Sequence, residues 1–140
     1  MTHTLKIKLR WHWDDYLRYY YEKLPIAIMV NLPAAEGITF SLNKLESIDF
    51  GIECELVTYK DGCEQKEPFM LMANDELDDT PLIVNGPKVY PKGPHIPSIS
   101  VRCINDSSYY FHHYSKCFQI VAFDGAPIEV KIVDDFDQEQ

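Results

Sequence analysis

Reactive side chains concentrate in one segment, 105–117, where Asn105, Ser107, His112, His113, Lys116 and Cys117 alternate with Tyr109, Tyr110, Phe111 and Tyr114. Imidazole and thiolate are the groups zinc prefers, so His112 with Cys103 and Cys117 invites a metal reading. No Cys-x-x-Cys or His-x-x-x-His spacing accompanies them. A Cys117–His nucleophilic pair lacks an identifiable oxyanion element or electropositive neighbour. Gly86, Gly93 and Gly125 fall in separate turns, which leaves no glycine-rich phosphate loop. The sequence therefore predicts no catalytic residue, no metal and no cofactor. What the segment does offer is recognition chemistry: stacking rings and polar tips on a loop, where partners are commonly bound.

Charge sets the kind of partner. Thirteen Lys and Arg stand against 22 Asp and Glu, a formal net charge of −9. That balance disfavours nonspecific attraction to phosphate backbones and anionic membranes. The acids gather at Asp75, Glu76, Asp78 and Asp79 and again in a tail from Asp134 to Glu139. Read plainly, these are a solvated loop and a frayed end; read functionally, they steer a basic partner. The tyrosines Tyr19, Tyr20, Tyr110 and Tyr114 would supply rigid anchor area for that partner, or pack on a sheet instead. An opposing reading uses the cations Lys6, Lys8, Arg10, Arg102 and Lys116, with His112 and His113, as a nucleic-acid face; it needs them to share one surface.

The elements that must position these groups are strands. Leu5, Ile7, Leu9, Trp11 and Trp13 alternate with Lys6, Lys8, Arg10 and His12, so one side of the first strand is apolar and the other basic. The lysines either protect an exposed sheet edge or form a contact face. Asp14 and Asp15 can cap a short helix through Tyr21. Further strands are expected over 26–32, 38–42, 52–59, 69–72, 82–84, 98–104, 116–123 and 128–132, with Lys60-Asp61-Gly62 a turn and the last two strands a hairpin across Asp124-Gly125. The four cysteines read as thiols, with Cys54 and Cys103 on core faces and Cys63 in a turn. No run approaches the roughly 18 apolar residues of a membrane span, and the Met1 end lacks a signal-peptide pattern. A soluble, intracellular protein (cytoplasmic or nuclear) is expected.

About eight short strands with at most one helix make a mainly β, antiparallel, immunoglobulin-like sandwich. One domain over 1–140 is expected, with 1–23 a candidate extension, 24–133 the sandwich and 134–140 an acidic tail. From Ile52 onward, the strand ending in Leu56-Val57-Thr58-Tyr59-Lys60-Asp61-Gly62, the Pro87/Gly93 region, the 98–104 strand and Ser107…His112…Lys116-Cys117-Phe118 resemble immunoglobulin-like domains of Rel, Runt and STAT-like transcription factors. The resemblance implies that Arg102, His112, His113 and Lys116 face nucleic acid. The acidic balance and the absence of an arginine-rich loop depart from that pattern. The expectation is therefore a non-enzymatic binding module that engages a protein partner, a basic one by charge, as inhibitor or adaptor. The alternative is a Rel-like nucleic-acid-binding domain.

Overall fold

The computed structural model describes residues 1–11, 14–104 and 108–137. Among them the elements run β1 His3–Leu9, α1 Asp15–Glu22, β2 Met29–Leu32, β3 Ile38–Phe40, β4 Leu45–Asp49, β5 Ile52–Lys60, β6 Cys63–Glu67 and β7 Phe69–Ala73. After a 3-10 turn at Asp75–Asp79 come β8 Leu82–Ile83, β9 Lys88–Tyr90, β10 Ser98–Cys103, β11 Tyr109–Phe111, β12 Phe118–Ala122 and β13 Ile128–Ile132. The fold is mainly β. Its sheets have the orders β13-β1-β5-β6, β4-β10-β8, β11-β3 and β2-β12-β7-β9. Pairing between these strands is antiparallel except between β1 and β13, which run parallel.

The alternation in β1 sends Leu5, Ile7 and Leu9 into the core, beside Leu56, Cys54 and Ile52 of β5. The strand is not an edge: β13 flanks it on one side and β5 on the other. Its cations are consequently not a free basic face. Register sets Lys6 opposite Glu55 and Lys8 opposite Glu53. Lys6, only 1% exposed, donates to Glu64 and to the Phe136 carbonyl at 3.1 Å, so the C-terminal segment folds over it. Lys66 pairs with the buried Glu55 at 3.2 Å, and Arg10 with Asp49 at 2.8 Å. His3 links Thr58 of β5 to Asp124, its Nε2 lying 2.9 Å from the carboxylate.

Asp14 starts α1 by accepting from the Leu17 N–H at 3.1 Å, and Leu17 and Tyr21 bury the inner face of the helix in the main core. Leu5, Ile7, Leu9, Leu17 and Tyr21 thus belong to that core, so β1 and α1 pack as part of it and not as an added arm. Full burial of a side chain such as Leu17 is worth about 1.5–3 kcal/mol, whereas Tyr21 also buries a hydroxyl that has no hydrogen-bond partner among the described residues. The Asp61-Gly62 loop joins β5 to β6 with both residues at positive φ, 54° and 79°, the two-residue hairpin geometry that glycine permits. The expected hairpin of the last two strands does not form. After the Asp124-Gly125 turn the chain leaves the β2-β12-β7-β9 sheet, and β13 pairs with β1 in another. The His3 N–H to Pro127 carbonyl bond, 2.9 Å, fixes that crossing. No helix among the described residues is long and apolar enough to cross a membrane.

Candidate functional site

The site forms on the outer face of the β2-β12-β7-β9 sheet, beside the 3-10 turn. Inner positions of these strands, Val30, Leu32, Ile120, Phe118, Leu71 and Phe69, are buried. The period of two therefore turns Asn31, Gln119 and Met72 outward, and register places them side by side on three neighbouring strands. Asn74 follows at the end of β7. Its Nδ2 donates to Asn31 Oδ1 at 3.1 Å and to the Lys116 carbonyl at 2.7 Å, while its Oδ1 accepts from the Glu76 N–H at 2.9 Å. One amide thus ties β2, the approach to β12 and the acidic turn together. Leu77 pins the turn into the core, which leaves Asp75, Glu76, Asp78 and Asp79 exposed.

These residues enclose a groove of about 420 Å³ lined by Met29, Asn31, Met72, Ala73, Asn74, Asp75, Glu76 and Gln119. Small-ligand sites have this size and this mixture of apolar wall and few polar groups. One polar group is unsatisfied: Gln119 Oε1 is shielded from solvent and accepts no hydrogen bond. Leaving a buried acceptor unpaired costs about 1–3 kcal/mol, so a ligand's donor would be favoured once the Gln119 side chain turns Oε1 toward the groove. A larger groove, about 620 Å³, runs between α1 and β13. Its charges are matched within the chain, Arg18 with Glu22 and Lys131 with Glu129 at 3.9 and 3.7 Å, which makes it the weaker candidate.

A tyrosine cluster adjoins Asn31, next to the residues that line the smaller groove. The Tyr20 hydroxyl donates to the Asn31 carbonyl at 2.8 Å. Tyr16 stacks on Tyr114 with ring centroids 3.9 Å apart. Lys116 Nζ lies 5.6 and 5.3 Å from the Tyr16 and Tyr20 ring centres and donates to the Tyr16 hydroxyl at 3.0 Å, a cation held by π-faces. Tyr114 donates to Asp14 at 3.0 Å. Burial, with Tyr16 and Glu76 nearby, pushes the Tyr20 phenol up to about 12. Burial and the acidic turn push the Cys117 thiol up to about 11. Both stay protonated at neutral pH: Tyr20 is a donor, and Cys117 is no thiolate nucleophile.

Tyr20, Tyr114, Lys116, Asp75 and Glu76 are thus brought together, with Asp78 and Asp79 on the same turn. Apart from His113, the other expected residues among those described lie away from this cluster. Tyr19 projects from α1 under Lys23, 5.4 Å away. Tyr110 sits on β11 against Gly37 and meets His112 edge-on at 4.8 Å, while His113 leans on Tyr114 at 4.5 Å. Arg102 lies on β10 between Leu45 and Ile83, away from Lys6, Lys8 and Arg10 on β1 and its exit. Cys103 is buried and all four cysteines are free. Among the described residues no three His, Cys, Asp or Glu side chains gather as metal ligands. His12, Trp13, Asn105, Ser107 and Glu139 lie outside the described residues. Sequence reading overlooked Asn31, Asn74 and Gln119. A polar residue interrupting an apolar strand, as in Met29-Val30-Asn31-Leu32 and Phe118-Gln119-Ile120-Val121, is the signal that marks two of them.

No family model and no curated protein matches the sequence. Solved structures do match the fold. A Streptococcus mutans dUTPase aligns at TM-score 0.50 and 12% identity over 81% of this chain and 86% of that one. A tyrosine-to-isoleucine variant of the Staphylococcus bacteriophage 80alpha dUTPase aligns at 0.56 and 11% over 97% of both chains. A glycine-to-serine variant of the same phage enzyme, solved with dUpNHpp, aligns at 0.58 and 13% over 97% of this chain and 91% of that one. These neighbours are enzymes and not immunoglobulin-like transcription-factor domains. That overturns the Rel/Runt/STAT-like resemblance, the expectation of a non-enzymatic inhibitor or adaptor module, and its nucleic-acid-binding alternative. The β-sandwich expectation stands in coarser form: the chain has the jelly-roll β fold of the dUTPases.

Proposed function

We propose that the chain binds a deoxyuridine nucleotide in the groove between β2, β12, β7 and the acidic turn, and hydrolyses its phosphate chain. The observation that carries this reading is the unpaired Gln119 Oε1 on the strand next to Asn31, whose own amide is held by Asn74. A uracil edge presents one N–H donor between two carbonyl acceptors. Gln119 Oε1 would accept from the N–H, and the amide nitrogens of Gln119 and Asn31 would donate to the carbonyls. Met29 and Met72 supply the apolar wall on which the ring lies.

Asp75 and Glu76, at the open side of the groove, would orient a water and take its proton as it attacks phosphorus. The P–O bond to the departing phosphate then breaks, and that group leaves with the electron pair. The Lys116 ammonium, fixed beside Tyr16 and Tyr20, would offset negative charge developing at that end. Two carboxylates with substrate phosphates suffice to hold magnesium, which often keeps only one or two protein ligands. The fold of enzymes that act on dUTP supports the assignment. Such a protein would work where deoxynucleotides are, in the cytoplasm or nucleus, and its four unbridged cysteines suit a reducing compartment.

The test is calorimetric titration with dUpNHpp alongside dUTP consumption followed by 31P NMR in magnesium. Saturable binding that Asn31→Leu abolishes, with dUTP turnover that Asp75→Asn/Glu76→Gln removes, is the expected result. Binding without turnover would refute the hydrolase reading, and absence of binding would refute the site.

A further inference from the structure

An open antiparallel sheet is ordinarily polar on its solvent side, yet the outer face of the β2-β12-β7-β9 sheet is apolar beyond the amide groove. Register aligns Met29, Val121, Met70 and Val89 in one row across all four strands. Met29 is 41% exposed, Val89 56% and Phe123, just past the end of β12, 52%. Single exposed apolar residues are ordinary; a continuous row across a whole sheet marks an interaction surface. Two of its four members are methionines, whose unbranched side chains adapt to different partners.

The row runs beside the groove whose rim carries the acidic turn. Asp75, Glu76, Asp78 and Asp79 are exposed, and none forms an ion pair among the described residues. Apolar area beside unpaired carboxylates is complementary to a segment with an apolar side and a basic one. A second copy of this chain fits less well, since it brings a further net charge of −9 and the same acidic turn. We propose that this face docks a basic amphipathic segment of another protein, its apolar side chains on Met29, Val121, Met70 and Val89 and its Lys or Arg residues against the 3-10 turn. The inference shares Met29 and the acidic turn with the nucleotide groove but does not depend on that reading, because its test reads peptide affinity at Met70, Val121, Asp78 and Asp79 rather than nucleotide binding or turnover.

The test uses fluorescence anisotropy with a labelled Leu/Lys amphipathic helical peptide and its Leu/Glu counterpart, with sedimentation velocity on the protein alone. The Leu/Lys peptide should bind at least tenfold more tightly than the Leu/Glu peptide. Met70→Thr/Val121→Thr, chosen because threonine suits a strand, should weaken binding at least tenfold while circular dichroism and melting stay native. Asp78→Asn/Asp79→Asn should weaken it several-fold at low salt and less at high salt. Equal affinity for both peptides, or no effect of the Met70/Val121 pair, would overturn the proposal. So would self-association of the wild type that the same pair abolishes.

Discussion

Gln119→Leu should make the protein more stable and worse at binding. In the native chain Gln119 Oε1 is buried with no donor, while its strand neighbours Asn31 and Met72 pack on either side. An unpaired buried acceptor costs about 1–3 kcal/mol. Leucine removes that cost, keeps most of the volume and packs on Met72. Against this, leucine cannot fill the outer end of the glutamine, and lost contacts return a fraction of the gain. A net stabilisation of about 1 kcal/mol is expected, read as a higher urea midpoint at unchanged m-value. If the uracil N–H satisfies Gln119 Oε1, the same substitution removes about 1–3 kcal/mol of binding, or roughly 5- to 150-fold in the Kd for dUpNHpp. The pair of measurements is diagnostic because the two effects have opposite sign. A destabilised variant that binds dUpNHpp as well as the wild type would refute both the orphaned acceptor and its assignment to the base.

Asp14→Ala should lose about 2 kcal/mol by chemical denaturation, from the helix cap and the bond from the Tyr114 hydroxyl. Burial and then Asp14 hold the Tyr114 phenol above 10.0; its ultraviolet titration should move down in the variant. Lys6→Met should cost about 2–3 kcal/mol, below the figure for a fully buried pair because Glu64 is 31% exposed. Adding Glu64→Leu should recover part of that loss, as a double-mutant cycle will show. The pH profile of stability should fall at both extremes. The Ala126 N–H and His3 lower Asp124 below 3.8, so its contribution is complete above that value and lost as pH falls through the folded pKa. Burial opposes charging of Lys6, but Glu64 outweighs it and lifts the ammonium above 10.5. That contribution is complete below 10.5 and lost as pH rises through the folded value. Urea midpoints across pH, with Asp124→Asn flattening the acid limb, check both signs.

Faces were legible in the sequence and neighbours were not. A period of two told which side of β1, β5, β10 and β13 meets the core, because alternation is a property of one strand. It could not tell that β1 lies between β13 and β5, since pairing across some 125 residues leaves no local mark. For the same reason Lys6 and Lys8 read as a basic surface, although Glu55, Glu53 and Glu64 answer them from other strands. Cys63–Glu67 was missed as a strand because all its side chains are polar or exposed; its place beside β5 follows from the Asp61-Gly62 turn, which the sequence did show. The Asp14 cap was readable because a cap is local. At the site, the tyrosines, Lys116 and the acidic turn drew notice by type. Asn31, Asn74 and Gln119 acquire meaning only when three strands align, which register alone decides. The dUTPase-like fold was hidden because 11–13% identity leaves pattern without motif.

The most direct test of the account is a structure of the protein with dUpNHpp and magnesium. The account predicts the uracil between Met29 and Met72, its N–H on Gln119 Oε1, and its phosphates reaching Asp75 and Glu76. A nucleotide seated in the α1–β13 groove, or no nucleotide at saturating concentration, would contradict it.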